Sequence, residues 1–259
     1  MNIVLDVLFL LYGIIIGSFL NVCILRIPKG ESIAITRKGQ KVKPSRSHCV
    51  SCGHTLAWYD LFPLVSYIVL GGKCRYCKKK ISIQYPIIEA LNGILYLGMF
   101  LVHGLSIETI LYCLCASALL VLSVIDWRTF EIPIGLNIFI LVLGLIRLAF
   151  DYHNWSDYVI GFFAVSGFLL LIFVITRGRG IGGGDIKLMA AAGLLIGWKL
   201  NIVALMLGCV LGSIIHLSIM AMKKGERRLA FGPYLSLGIY IAMICGEQLV
   251  SWYLSIMGL

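Results

Sequence analysis

The chain has 259 residues, of which 60% are apolar and 13% charged, and its mean hydropathy is +0.97. Such a composition excludes an ordinary water-soluble globule and a disordered chain, and it places the protein in a bilayer. The formal net charge of +10 can mark a nucleic-acid partner, but the distribution of the charge argues against one.

The first apolar run covers residues 3–25, close to the roughly 20 residues needed to cross hydrocarbon. Its start, Met1-Asn2-Ile3-Val4-Leu5-Asp6, has no basic segment, and the basic residues begin at Arg26. It reads as an uncleaved anchor with its N-terminus outside.

Residues 26–85 form the one sizeable polar segment. It carries 12 basic and 2 acidic residues, so its net charge equals that of the whole chain. A basic segment beside the membrane is explained by topology and by attraction to anionic lipid, and no nucleic-acid partner is expected. About 60 residues cannot bury a large core unaided. The aid is visible as two Cys-x-x-Cys knuckles, Cys49 with Cys52 and Cys74 with Cys77, separated by 21 residues. Two such knuckles complete a tetrahedral thiolate shell for a structural zinc ion, and a reducing cytoplasm would keep the thiols available. The other reading is a pair of disulfides or redox-active dithiols. Between the knuckles, Leu61 to Leu70 is apolar but too short to span, and it is expected to pack on the membrane surface or on the helices. The remaining cysteines, among them Cys113 and Cys115, lie in apolar runs and read as small hydrophobes.

Further apolar runs follow at 86–103, 107–125, 133–150, 158–176, 186–198, 200–221 and 231–257. With the first they predict about eight transmembrane helices. The sixth run is short. Without it, the basic loop Lys223-Lys224-Gly225-Glu226-Arg227-Arg228 would fall on the opposite side from every other basic loop. With it, 20 of the 22 Lys and Arg residues share one face, leaving Arg147 and Lys199 on the other, beside Glu108, Asp151 and Asp157. The positive-inside rule makes the basic face cytoplasmic and puts both termini outside. Small residues four apart, Gly13 with Gly17 and Gly208 with Gly212, have the spacing that lets helices approach closely.

Two aspartates stand at this cytoplasmic face. Asp126 ends one apolar run and Asp185 opens another, directly after Gly182-Gly183-Gly184. An ionisable side chain at the end or interior of a membrane helix is costly and marks a functional site. Two on one side suggest a carboxylate dyad, in which neighbouring like charges let one acid stay protonated while the other activates water. The competing reading pairs Asp126 with Arg128 and Asp185 with Lys187 as interface charges. The glycine run is not a phosphate loop, because no Gly-Lys-Ser/Thr follows and no strand precedes it. It permits close backbone approach beside Asp185, either by a peptide substrate or by the partner aspartate.

These motifs, taken in order, resemble the bacterial type IV prepilin peptidases, the leader peptidase/N-methyltransferases. Gly17-Ser18-Phe19-Leu20-Asn21-Val22 with Arg26-Ile27-Pro28 resembles the family's opening. The cysteine pairs, Gly72-Lys73-Cys74-Arg75, and Gln84-Tyr85-Pro86 with Glu89 resemble its cytoplasmic domain. Ile125-Asp126 with Ile132-Pro133 resembles the first catalytic motif, and Gly182-Gly183-Gly184-Asp185 the second, a Gly-x-Gly-Asp motif shared with presenilin-like proteases. Phe231-Gly232-Pro233-Tyr234 matches a late motif.

The resemblance implies an all-α polytopic membrane protein with a small cytoplasmic zinc-binding domain. Residues 1–25 are then the first transmembrane helix, 26–85 the zinc-binding domain associated with methyl transfer, and 86–259 the transmembrane aspartic peptidase domain. The implied activity is removal of the short basic leader of prepilins or pseudopilins after a glycine, at the cytoplasmic membrane face. N-methylation of the new terminus from S-adenosylmethionine would follow. Asp126 and Asp185 would be catalytic. The sequence departs from the family at Asp60-Leu61-Phe62-Pro63 and at Gly71-Gly72-Lys73, both in the domain tied to methyl transfer. A transporter or a secretion scaffold with a structural zinc module is the alternative class.

Overall fold

A computed structural model describes residues 3–30, 48–49, 51–222 and 230–258. The basic loop 223–228 and the stretch 31–47 of the polar segment lie outside the described residues. The helices are α1 (Ile3–Arg26), α2 (Val65–Val69), α3 (Gln84–His103), α4 (Ile107–Thr129), α5 (Ile134–Phe150), α6 (Trp155–Ile175), α7 (Gly183–Met222) and α8 (Gly232–Met257). The described residues contain no strand, only isolated bridges between His48 and Thr55 and between Lys73 and Lys80. Six helical stretches are long and apolar enough to cross a membrane, and α5 is a shorter apolar helix.

The short sixth run is explained by Gly197, whose φ of +80° and ψ of 170° break α7 into two rods. Asn201, on the second rod, donates from Nδ2 to the Met189 carbonyl on the first, at 3.0 Å across 12 residues. In a continuous helix those residues would stand about 18 Å apart, so the chain turns back at Gly197. Counted this way, the described residues hold eight helical rods, α5 and the first part of α7 among the shorter ones, at the positions the hydropathy predicts. The turn also returns the start of α8 to the end of the helices that carries Asp126.

The residues group into two compact units, Met1–Leu101 and Val102–Leu259. In the first, α1 and α3 meet through glycine. A Cβ on Gly13 would stand 2.7 Å from the Gly93 Cα, and one on Gly17 2.7 Å from the Glu89 Cα. The close approach lets Asn92 Nδ2 donate to the Gly13 carbonyl at 2.7 Å, while Phe9 stacks on Phe100 with ring centroids 4.2 Å apart. This bears out the small-residue reading of Gly13 and Gly17.

In the second unit α7 packs against α5, α6 and α8, and α4 against α5 and α8. Leu122, Ile125, Leu188, Met189, Leu195, Leu235 and Ile239 are sealed in this core. Phe163, Leu171 and Val174 of α6 are exposed, as suits lipid-facing positions. The α6–α7 crossing is closest where Gly193 meets Gly161, and Asn201 Nδ2 also holds the Gly161 carbonyl there, at 3.1 Å.

Candidate active site and metal centre

Asp126 lies inside the last turn of α4. The helix continues to Thr129 and closes on Phe130, whose left-handed backbone returns its N–H to the Asp126 carbonyl. The carboxylate is 5% exposed, and its Oδ2 accepts the Gly232 main-chain N–H at 2.9 Å. Asp185, in the first turn of α7, is 7% exposed, and its Oδ2 accepts the Gly182 N–H at 3.3 Å. The two carboxylates feel each other's charge. Turns at the ends of α4, α7 and α8 thus deliver both acids to one place.

The ion pairs Arg75–Asp60 and Arg147–Glu108 include neither Asp126 nor Asp185. Both acids are buried on main-chain amides, and burial of a carboxylate carries a large desolvation cost.

Two further residues belong to this setting. Gly232 was visible in the sequence only as part of a motif; here its amide orients Asp126. Asn137 of α5 is 4% exposed and donates from Nδ2 to the Gly184 carbonyl at 3.4 Å, next to Asp185. A carboxamide within an apolar run was the signal that could have drawn attention to it. The glycine triplet is not uniformly open. A Cβ on Gly183 would meet nothing within 4 Å, whereas one on Gly184 would stand 2.9 Å from the Ile132 Cβ. Gly184 therefore packs closely against Ile132 of the α4–α5 connection, while Gly183 faces open space.

The four cysteines converge in the first unit. Sγ atoms of Cys49, Cys52, Cys74 and Cys77 all lie within 4.8 Å of one another. Each knuckle is built alike. The Cys49 N–H donates to the His54 carbonyl at 2.9 Å, and the Cys74 N–H to the Lys79 carbonyl at 2.8 Å. The turns pass through left-handed backbone at Gly53 and Lys78. The edge of a tetrahedron with zinc–sulfur bonds of about 2.3 Å is about 3.8 Å, and Cys49 Sγ stands 3.9 Å from Cys77 Sγ. All four cysteines are free thiols, so the donor set fits zinc and not disulfides. The N–H groups of Ser51 and then Cys52 hold the Cys49 thiol down at about 6, ready to bind metal as thiolate. His54 packs against Tyr76 with ring centroids 3.6 Å apart and planes inclined by 35°.

Comparison with known proteins agrees with this geometry. Residues 11–103 match the bacterial peptidase A24 N-terminal domain, and residues 113–217 match the type IV leader peptidase family. The chain is 32% identical to the prepilin leader peptidase/N-methyltransferase of Pseudomonas aeruginosa, over 96% of this chain and 93% of that protein.

The chain belongs to the type IV leader peptidase family.

Other relatives in this family carry the same name. One from Aeromonas hydrophila is 29% identical over 95% of this chain and 92% of its own length. One from Burkholderia pseudomallei is 34% identical over 87% and 81%. No solved structure matches the chain. The two family matches divide the protein as the chemistry does, with the cysteine cluster in the first and both aspartates in the second.

Proposed function

We propose that this leader peptidase cleaves the leader of prepilins or pseudopilins through Asp126 and Asp185, at the cytoplasmic face of the cell membrane. The observation that carries the reading is the burial of two mutually interacting carboxylates at one end of the second unit, each held by a main-chain amide.

The dyad needs no side-chain nucleophile. One carboxylate takes a proton from water as the oxygen of that water bonds to the scissile carbonyl carbon. The other, protonated, donates to the carbonyl oxygen as it gains charge. Collapse of the tetrahedral adduct breaks the C–N bond. The departing nitrogen takes up a proton, leaving a leader with a new carboxylate and a mature protein with a free amine. The expected cut follows a glycine and precedes the long apolar helix of the substrate. Extended peptide at this depth is tolerable only where protein or water satisfies its polar groups.

The cysteine cluster is assigned to one structural zinc ion, held by Cys49, Cys52, Cys74 and Cys77. The positive-inside distribution supports placing these cysteines and both aspartates in the cytoplasm, with both termini outside. Family membership supports methylation of the new amine, for which S-adenosylmethionine would supply the methyl group. The described part of 26–85 consists of knuckles, turns and short helices, and no residue is assigned to that cofactor.

The test is leader removal by purified protein in proteoliposomes. Asp126→Asn and Asp185→Asn should each abolish cleavage, with insertion and thermal unfolding unchanged. Full cleavage by either variant rejects the dyad.

A further inference from the structure

The stretch from Leu61 to Leu70 carries ten residues without a charge, and the fold leaves its apolar side chains uncovered. Ile68 and Val69, on the short helix α2, are 74% and 75% exposed. Phe62 and Val65 are more than half exposed as well. Apolar tips of this kind belong at an interface.

The geometry says which interface. The Leu64 N–H donates to Glu89 Oε2 at 2.8 Å, and Leu64 adopts a left-handed φ of 58°, a conformation a branched residue takes only when its surroundings enforce it. Glu89 is buried and lies five residues into α3, whose membrane-crossing stretch begins at Gln84. At 1.5 Å per residue that is about 7.5 Å beyond the start of the helix. The tether therefore holds the loop about 7.5 Å along α3 from its first residue. Ile83 and Ile87, at the entry of α3, are exposed too and continue the apolar surface.

The charge pattern agrees. The loop closes where the Lys73 N–H donates to the Leu70 carbonyl at 3.2 Å, and Lys73 pairs across a bridge with Lys80. Lys73, Lys78, Lys79 and Lys80 are exposed. Exposed ammonium groups that closely follow an apolar tip in the chain suit anionic headgroups above hydrocarbon.

We infer that Leu61–Leu70 is a monotopic membrane foot. Ile68 and Val69 enter the outer hydrocarbon of the leaflet that α1 and α3 also cross, the lysine row rests on anionic lipid, and the Leu64–Glu89 hydrogen bond sets the depth. The cysteine knuckles are thereby held against the membrane surface. The inference rests on the membrane reading of α1 and α3, not on the peptidase reading.

The test uses full-length protein in nanodiscs with and without anionic lipid, carrying a fluorescent noncanonical amino acid at Val69. Quenchers attached near the top of the acyl chain should remove about half of the emission, and aqueous iodide only a small part, as for interfacial segments. Ile68→Asp in the labelled protein should reverse that order while zinc content stays unchanged. Strong iodide quenching of the parent protein would overturn the proposal, as would shielding from both quenchers, the sign of a protein covering the loop. Photoreactive lipid gives an unlabelled check. Adducts on α1 peptides but none on the peptide containing Leu61–Leu70 would also overturn it.

Discussion

The main-chain N–H of Gly232 donates to Asp126 Oδ2 at 2.9 Å, joining positions 106 residues apart. The contact fixes one carboxylate oxygen and leaves the other for water or substrate. It also explains why the residue is glycine. A Cβ there would stand 2.7 Å from Asp126 Oδ2 and 3.1 Å from Leu122 Cδ2. Leu122 is fully buried, so the carboxylate must yield. Gly232→Ala should lower the cleavage rate by about 100-fold, the scale of a 1 Å misplacement. Its binding of uncleaved substrate should be nearly unchanged. Single-turnover cleavage beside equilibrium binding checks this, and equal losses in both would assign Gly232 to substrate binding instead.

Gly184 and Gly183 should behave differently although they are neighbours. A Cβ at Gly184 meets the Ile132 Cβ at 2.9 Å, an atom that no rotamer change can move. Gly184→Ala should therefore lower both thermal stability and cleavage, each by forcing the α4–α5 connection at Ile132 from the start of α7. Overpacking of this kind costs about 1–3 kcal/mol. Gly183→Ala meets nothing and should leave stability unchanged, so that any loss of cleavage there reports on the substrate. Unfolding temperature and initial rate, measured on both variants, separate the two roles.

What the sequence made legible followed from cost and spacing. Asp126 and Asp185 stood out because charges are expensive in apolar runs, and the four cysteines because knuckle spacing is specific. Even the break at Gly197 left a trace, as a run too short for its neighbours. The contacts that orient the site left none. That the Gly232 amide reaches Asp126, that Ile132 fills the space beside Gly184, and that Leu64 is tied to Glu89 depend on how helix ends meet in three dimensions. A main-chain donor has no side-chain signature, so its role cannot be read from residue type.

The zinc assignment predicts one equivalent of metal per chain and its loss with the knuckles. Cys49→Ser should release the metal and expose residues 48–80 to proteolysis first, because binding and folding are coupled there. Leader cleavage should persist in part, since both carboxylates lie in the second unit. In chelator-treated protein, alkylation of Cys49 should rise with pH around a midpoint of about 6. The sign follows from linkage. A thiol depressed below its unfolded value stabilises the metal-free knuckle at alkaline pH, and that contribution is lost as pH falls through the folded value. Peptide-resolved alkylation across pH 4–9, at about unit steps, measures it directly. A midpoint near the ordinary thiol range would reject the thiolate at neutral pH.

At the opposite ends of the same helices a second polar cluster forms a hydrogen-bonded network. Arg147 Nη2 pairs with Glu108 Oε1 at 3.0 Å, with side chains 18% and 29% exposed. Arg147 Nε also donates to the Tyr158 hydroxyl at 3.2 Å, and that hydroxyl donates to Asp151 at 2.6 Å. The network ties the ends of α4, α5 and α6 across a cavity of about 430 Å³. Arg147→Met should cost about 1–3 kcal/mol by leaving Glu108 half-buried and unpaired. The double variant Arg147→Met with Glu108→Gln should recover part of that loss, because the two residues share one interaction. Cleavage should be untouched in both variants, because Glu108 and Asp126 stand about 27 Å apart along α4 at 1.5 Å per residue. Thermal unfolding in detergent and leader removal in proteoliposomes, read on the single and double variants, test the separation. A stable Arg147→Met protein that failed to cleave would show that this end of the bundle acts on the dyad.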